Sequence, residues 1–150
     1  MPSGISRWLR SGSRLTRKHG TSPGPQEREV AFPRRGEIYL VRFDPTVGHE
    51  IRKTRPAVVI QNDISNRYSP ITIVAAISSK LSDPPFPREV IIEPEESGLP
   101  TRSAVIVNQI RSVDRLRLEK RLGRLSRQSV RRVDEALRIS HGLVELARET

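Results

Sequence analysis

The chain has 150 residues, enough for one domain with an appendage and for a core that needs no covalent staples. It has no cysteine, which excludes disulfides and zinc–thiolate centres, and no apolar run reaches the roughly 18–20 residues of a bilayer-spanning helix. Its formal charge of +10, from 27 Lys and Arg against 17 Asp and Glu, points to a polyanionic partner, although the excess of Arg over Lys also fits a merely soluble protein from an arginine-rich proteome.

Residues 1–33 are rich in Ser, Gly, Pro and Arg, and their first acid is Glu27. Without apolar periodicity, this stretch reads as a disordered basic arm. It carries the single tryptophan, Trp8, between Arg7 and Arg10. Order is expected from Arg34, so the folded domain is placed at 34–150. Residues 37–43 have strand composition, closed by Asp44-Pro45. After a loop containing Gly48, residues 56–61 form a continuous apolar run, predicted as a central strand buried on both faces. Residues 62–67 are a polar turn or short helix, and 71–77 a further strand. Residues 83–87 make a Pro-rich loop. Two more strands fall at 90–92 and 104–107, separated by a turn at 97–100, and 118–125 allows a short last strand. Ser126 is a suitable N-cap for a terminal helix in which Val130, Val133, Leu137, Ser140 and Val144 share one face. The pattern predicts a small α+β domain, mainly β and barrel-like, with a C-terminal helix.

Several chemistries lack their motifs. GxGxxG, GxxxxGK[ST] and HExxH do not occur, and the one GxSxG match, at residues 20–24, falls in the Ser/Gly/Pro-rich arm and not between a strand and a helix, so nucleotide cofactors, zinc-protease chemistry and a serine-hydrolase elbow are not expected. His19, His49 and His141 fall in different elements. No metal and no cofactor are predicted.

What does stand out is Arg55-Pro56. A residue before proline is driven to extended backbone, and proline is tolerated where a strand begins. Arg55 is therefore held at the mouth of the apolar strand. Its planar fork of donors suits bidentate phosphate binding, the alternative being a structural salt bridge, for instance to Glu50. Ser78 and Ser79 end another apolar strand. They can donate to a phosphate or cap the strand, and alternation lets only one of them join a given site. Arg52 and Lys53 add charge beside Arg55, either for the nucleic-acid backbone or as a solvated charge run.

The stretches RRGEIYLVRFDPTVGHE (34–50), TRPAVVIQNDISNRYSP (54–70), IVAAISSK (73–80), AVIVNQIRSVDRLRL (104–118) and VDEALRISHGL (133–143) together resemble the MazF/PemK family of toxin endoribonucleases. The resemblance covers about 34–146. It implies a small SH3-like β-barrel that forms a homodimer in the cytoplasm. It also implies metal-independent cleavage of single-stranded RNA by 2′-OH attack, giving 2′,3′-cyclic phosphate and 5′-OH ends. By the same resemblance Arg55 and Ser78 are the catalytic pair, Glu50 the loop acid, and Asn66 and Gln109 polar readers of RNA. The partner implied is an antitoxin with an acidic disordered tail. His49 is expected as an exposed loop residue. Tyr39 and Phe43 are expected in the core, with Tyr68 and Phe86 on loops where they can stack on bases. A non-enzymatic gyrase poison on the same fold and a non-cleaving RNA-binding module are the alternatives. The N-terminal arm lies outside the resemblance. It is read as a nucleic-acid arm or as translated sequence upstream of the true start, in preference to a transit peptide.

Overall fold

A computed structural model describes residues 32–44, 47–49, 53–84 and 88–144. The elements run β1 (Glu37–Arg42), β2 (Thr54–Val59), α1 (Asp63–Tyr68), β3 (Ile71–Ser78), β4 (Glu89–Ile92), α2 (Pro94–Ser97), β5 (Ser103–Asp114), a 3-10 turn (Arg115–Arg117), β6 (Leu118–Arg124) and α3 (Arg127–Ser140). All strands join one six-stranded antiparallel sheet in the order β4-β5-β3-β2-β1-β6. The expected class, α+β and mainly β with a C-terminal helix, is the one observed.

The apolar run in β2 has a direct cause. The strand is central and serves two cores at once. Val58 packs with Ile38, Ala75, Ile77, Val105, Val107 and, from α3, Val133 and Ala136. Its neighbours Ala57 and Val59 point the other way, into a smaller cluster with Val41, Phe43, Val74, Ala76 and Val113. Phe43 sits in the core as expected, whereas Tyr39 is only partly buried and packs against this second cluster. In β3, Ala75 and Ala76 keep the sheet thin where they pair with Val58 and Ala57.

Four details depart from the sequence reading. Pro33 is already buried, so packing begins before Arg34. β5 runs to Asp114 and not just through the apolar 104–107. The 97–100 turn is the end of a short helix, α2, capped at Gly98. A Cβ on Gly123 would lie 2.6 Å from the Ser97 carbonyl oxygen, so β6 can meet α2 only through a glycine. Finally, α3 stops at Ser140 and Val144 is not helical. Gly142, at φ 70°, turns the chain there, and Leu143 N–H closes back on the Arg138 carbonyl at 2.8 Å. Most of the N-terminal arm, residues 1–31, lies outside the described residues.

Candidate active site

Strand register places three of the predicted residues toward the same end of neighbouring strands. β2 and β3 pair with Ala57 opposite Ala76. The paired residues end there, and Arg55 on β2 and Ser78 on β3 each lie two residues beyond that last pair, at the same end of the two strands. Because side chains alternate, both lie on the face of Ala57 and Ala76, at the strand ends. On the other side of β3, the pairing with β5 jumps. Ala75 faces Ile110 while Ile77 faces Val105, so residues 106–109 of β5 bulge opposite Ala76 alone. Bulges recur beside active sites because they re-aim a side chain. This one carries Gln109, half-buried and two residues before Arg111, hence on the same face. On its β5 side Ser78 pairs with Ala104, and Gln109 lies in the bulge opposite Ala76, two residues back along β3.

These groups are available for a ligand. Arg55 is exposed and makes no ion pair among the described residues. Ser78 Oγ accepts the Lys80 N–H at 3.1 Å, which fixes the oxygen and leaves the hydroxyl proton to donate. Lys53 is exposed and has φ 62°, an uncommon left-handed conformation for a side chain of this size. His49 is exposed, as expected. Glu50, Arg52 and Phe86 lie outside the described residues. No group of three or more His, Asp or Glu among the described residues is placed to hold a metal ion.

Asn66 is different, and the structure corrects its expected role. It is fully buried. Its amide nitrogen donates to the Gln61 carbonyl at 2.8 Å and to Asp63 Oδ1 at 3.3 Å. Its amide oxygen accepts from Thr72 Oγ1 at 2.7 Å and from Gln61 Nε2 at 3.0 Å. Two donors and two acceptor sites are all that an amide has, so none is left to read a base. Asn66 also lies at the wrong end of β3. From Thr72 to Ser78 is six residues, about 20 Å at 3.3 Å each. Tyr68 shares that far end, half-buried in the last turn of α1 with the Arg67 guanidinium 5.4 Å from its ring. It is a helix residue and not the loop residue expected.

The rest of the QND signature is structural in the same way. Asn62 caps α1 by accepting the Ser65 N–H at 2.8 Å. Asp63 Oδ1 accepts the Arg35 N–H at 2.7 Å. Arg35 in turn donates to the Ile60 carbonyl at 2.7 Å and pairs with Asp134 of α3 at 2.7 Å. One knot therefore ties the start of β1, the end of β2, α1 and α3.

Sequence reasoning missed a second group, at the base of the β1–β2 connection. Arg117 Nη1 donates to the carbonyls of Arg42 and Asp44, at 3.0 and 2.5 Å, and Arg111 Nη1 donates to the Phe43 carbonyl. Asp44 Oδ1 accepts the Lys53 N–H at 2.9 Å, and Phe43 N–H donates to the Lys53 carbonyl at 2.8 Å. The arginines lie 68 to 75 residues from their acceptors, and no local pattern signals such a contact.

A cation, a hydroxyl and an amide ranged along one ledge of strand ends can hold a phosphate and an adjacent base, in a small antiparallel β fold braced by a C-terminal helix. Residues 34–141 match the family model described as PemK-like, MazF-like toxin of type II toxin–antitoxin system. The chain is 39% identical over 112 residues to endoribonuclease EndoA of Bacillus subtilis, a match that covers 75% of this chain and 97% of that protein. It therefore belongs to the PemK/MazF toxin family. Among solved structures, MazF from Deinococcus radiodurans superposes with a TM-score of 0.64 at 25% identity, covering 74% of this chain and 97% of that one. A mycobacterial endoribonuclease solved with its cognate antitoxin gives 0.62 at 18% identity, covering 76% and 99%, a likeness of fold.

Proposed function

We propose that this protein is the toxin of a type II toxin–antitoxin pair and cleaves single-stranded RNA without a metal. The observation that carries the reading is the family match over residues 34–141, supported by Arg55, Ser78 and Gln109 lying toward the same end of β2, β3 and β5. In-line attack forms a bond from the 2′-oxygen to phosphorus and breaks the bond to the 5′-oxygen. The 2′-OH gives up its proton, and the leaving oxygen takes one. Negative charge grows on the phosphoryl oxygens between these events, and fixed donors aimed at it are the largest usual source of rate. Arg55 supplies a fixed positive charge and Ser78 a hydroxyl proton. A guanidinium keeps its protons throughout the physiological range, so the part given to Arg55 is electrostatic and not proton transfer. Gln109 offers an amide to an unpaired base edge, the mode by which RNA sequence is usually read. Lys53 and Arg52 engage the phosphate backbone, and Glu50 is kept as the loop acid. Asn66 has no part in this reading, because its amide is spent inside the fold.

The active form is a homodimer, and the antitoxin is a small protein whose acidic tail competes with RNA for the basic ledge. Among the described residues no helix is long and apolar enough to cross a membrane. The toxin is assigned to the cytoplasm, where its RNA is.

Digestion of end-labelled RNA in EDTA by the wild type and Arg55→Ala tests the proposal. Cyclic-phosphate and 5′-OH ends, lost in the variant, are the expected result. Absence of cleavage by folded protein across varied RNAs would overturn it, and inhibition of DNA supercoiling would then place the protein with the non-enzymatic poisons.

A further inference from the structure

We propose that Arg117 is a positioning residue for RNA cleavage, acting through the backbone at the base of the β1–β2 connection and not through contact with RNA. This inference rests on the assignment of Arg55 to the catalytic centre. The carbonyls of three successive residues, Arg42, Phe43 and Asp44, accept from guanidinium groups of Arg117 and Arg111. Arg117 spans the first and third of them with a single nitrogen. On the facing chain, Lys53 has both backbone groups engaged, its N–H by Asp44 Oδ1 and its C=O by Phe43 N–H.

That arrangement explains the conformation of Lys53. A left-handed backbone at a residue with a long side chain persists only where its surroundings over-determine it. Here the surroundings are Asp44 and Phe43, and Arg117 and Arg111 hold those two in turn. Arg55 lies two residues beyond Lys53 and pairs with Val41, one residue before the first clamped carbonyl. The clamp therefore fixes the strand end from which Arg55 reaches the phosphate. Arg117 is itself anchored at its own end. Asp114 Oδ1 accepts the Leu116 N–H at 2.8 Å, and Arg115 N–H donates to the Pro70 carbonyl at 2.9 Å. Two of the five N–H donors of Arg117 are committed to these carbonyls, which ties the side chain to the β1–β2 connection. Its effect on catalysis comes through geometry, where displacement of a reacting group by about 1 Å costs on the order of 100-fold in rate.

The test compares wild type, Arg117→Gln, Arg117→Lys, Asp44→Ala and Arg55→Ala. Single-turnover cleavage of one RNA oligonucleotide is measured alongside its affinity at several salt concentrations. Arg117→Gln is expected to lower the cleavage rate constant about 10- to 100-fold, with affinity within about threefold of wild type and an unchanged salt slope. Arg117→Lys should recover part of the loss. Asp44→Ala, which cuts the same clamp from the other side, should lower the rate constant in the same way. An unchanged rate constant in Arg117→Gln would overturn the inference. So would a weaker, less salt-dependent binding at full rate, the signature of a lost phosphate contact. If Arg117→Gln does not fold, Asp44→Ala decides between the same outcomes. The Arg55→Ala arm separates the two proposals. An active Arg55→Ala removes the catalytic assignment beneath both, whereas an inactive Arg55→Ala with a full-rate Arg117→Gln removes this inference alone.

Discussion

The two ends of β3 carry polar residues in similar number and use them in opposite ways. At the Thr72 end, Asn66, Gln61, Asp63 and Thr72 satisfy one another within a buried knot. At the Ser78 end, Arg55 and Lys53 are exposed, and Ser78 keeps a hydroxyl proton to donate. Even the backbone follows the division. The first end has a regular capped helix, and the second has the left-handed Lys53. Polar groups that have paid their desolvation by bonding to each other build the fold. Those left without such partners are what a ligand can use.

The sharpest way to break this comparison is to exchange the losses. Arg55→Ala should lower cleavage by about 100- to 1,000-fold, the usual cost of one transition-state donor. An exposed residue away from packing should change the melting free energy by less than about 0.5 kcal/mol. Asn66→Ala should do the reverse. It strands Thr72 Oγ1, Gln61 Nε2 and the Gln61 carbonyl, at about 1–3 kcal/mol for each buried group that stays unsatisfied. Denaturant unfolding should register a loss of about 3 kcal/mol, while the rate per folded molecule stays within about twofold of wild type. A folded, stable Asn66→Ala with impaired cleavage would show that the far end also serves RNA.

A smaller effect tests the strain at Lys53. Asparagine tolerates the left-handed region better than lysine does. Lys53→Asn should leave stability unchanged or raise it by about 0.5 kcal/mol. It should also reduce the logarithmic salt slope of RNA binding by about one. An unchanged slope would remove Lys53 from the interface.

How much of this could be read from the chain follows the same division. The central position of β2 was legible because burial on both faces leaves no room for alternation, and Ala57-Val58-Val59 has none. The second half of β5 was not, because Gln109, Arg111 and Ser112 interrupt the apolar pattern just where the strand bulges. The helix α2 is too short for a period to appear. Arg55 and Ser78 could be singled out from strand-end chemistry, but the pairing of β2 with β3 that puts them at the same end of the sheet is a property of the folded pair. Asn66 shows the limit from the other side. A resemblance transfers a residue's identity and says nothing of its burial, and in a polar signature such as QND the two readings diverge. The clamp by Arg111 and Arg117 left no trace, since its partners are backbone carbonyls that any sequence would supply.

The smallest effect tests whether the division also runs within the ledge's own face. Tyr39 lies on that face, paired with Ala57, yet its hydroxyl donates to Glu37 Oε1 at 3.2 Å. Glu37 is itself buried and ion-paired with Arg121 at 3.0 Å. Burial first, and the Glu37 carboxylate second, push the Tyr39 hydroxyl from 10.0 up to about 12, against smaller opposing pulls from Arg121 and Arg115. A pKa raised on folding means that the unfolded chain ionises first. The stabilisation is therefore whole below pH 10 and is lost as pH rises through about 12. Tyr39 is only partly buried, so solvent screening should hold the total to about 1 kcal/mol, below the full linkage of about 1.4 kcal/mol per pKa unit. Urea unfolding of wild type and Tyr39→Phe across this range isolates the contribution of the hydroxyl. The gap between the two should shift by that amount between pH 10 and 12, the wild type losing more. A constant gap would mean that the Tyr39 hydroxyl is as uncommitted as that of Ser78, and Tyr39 would then join the groups available to RNA.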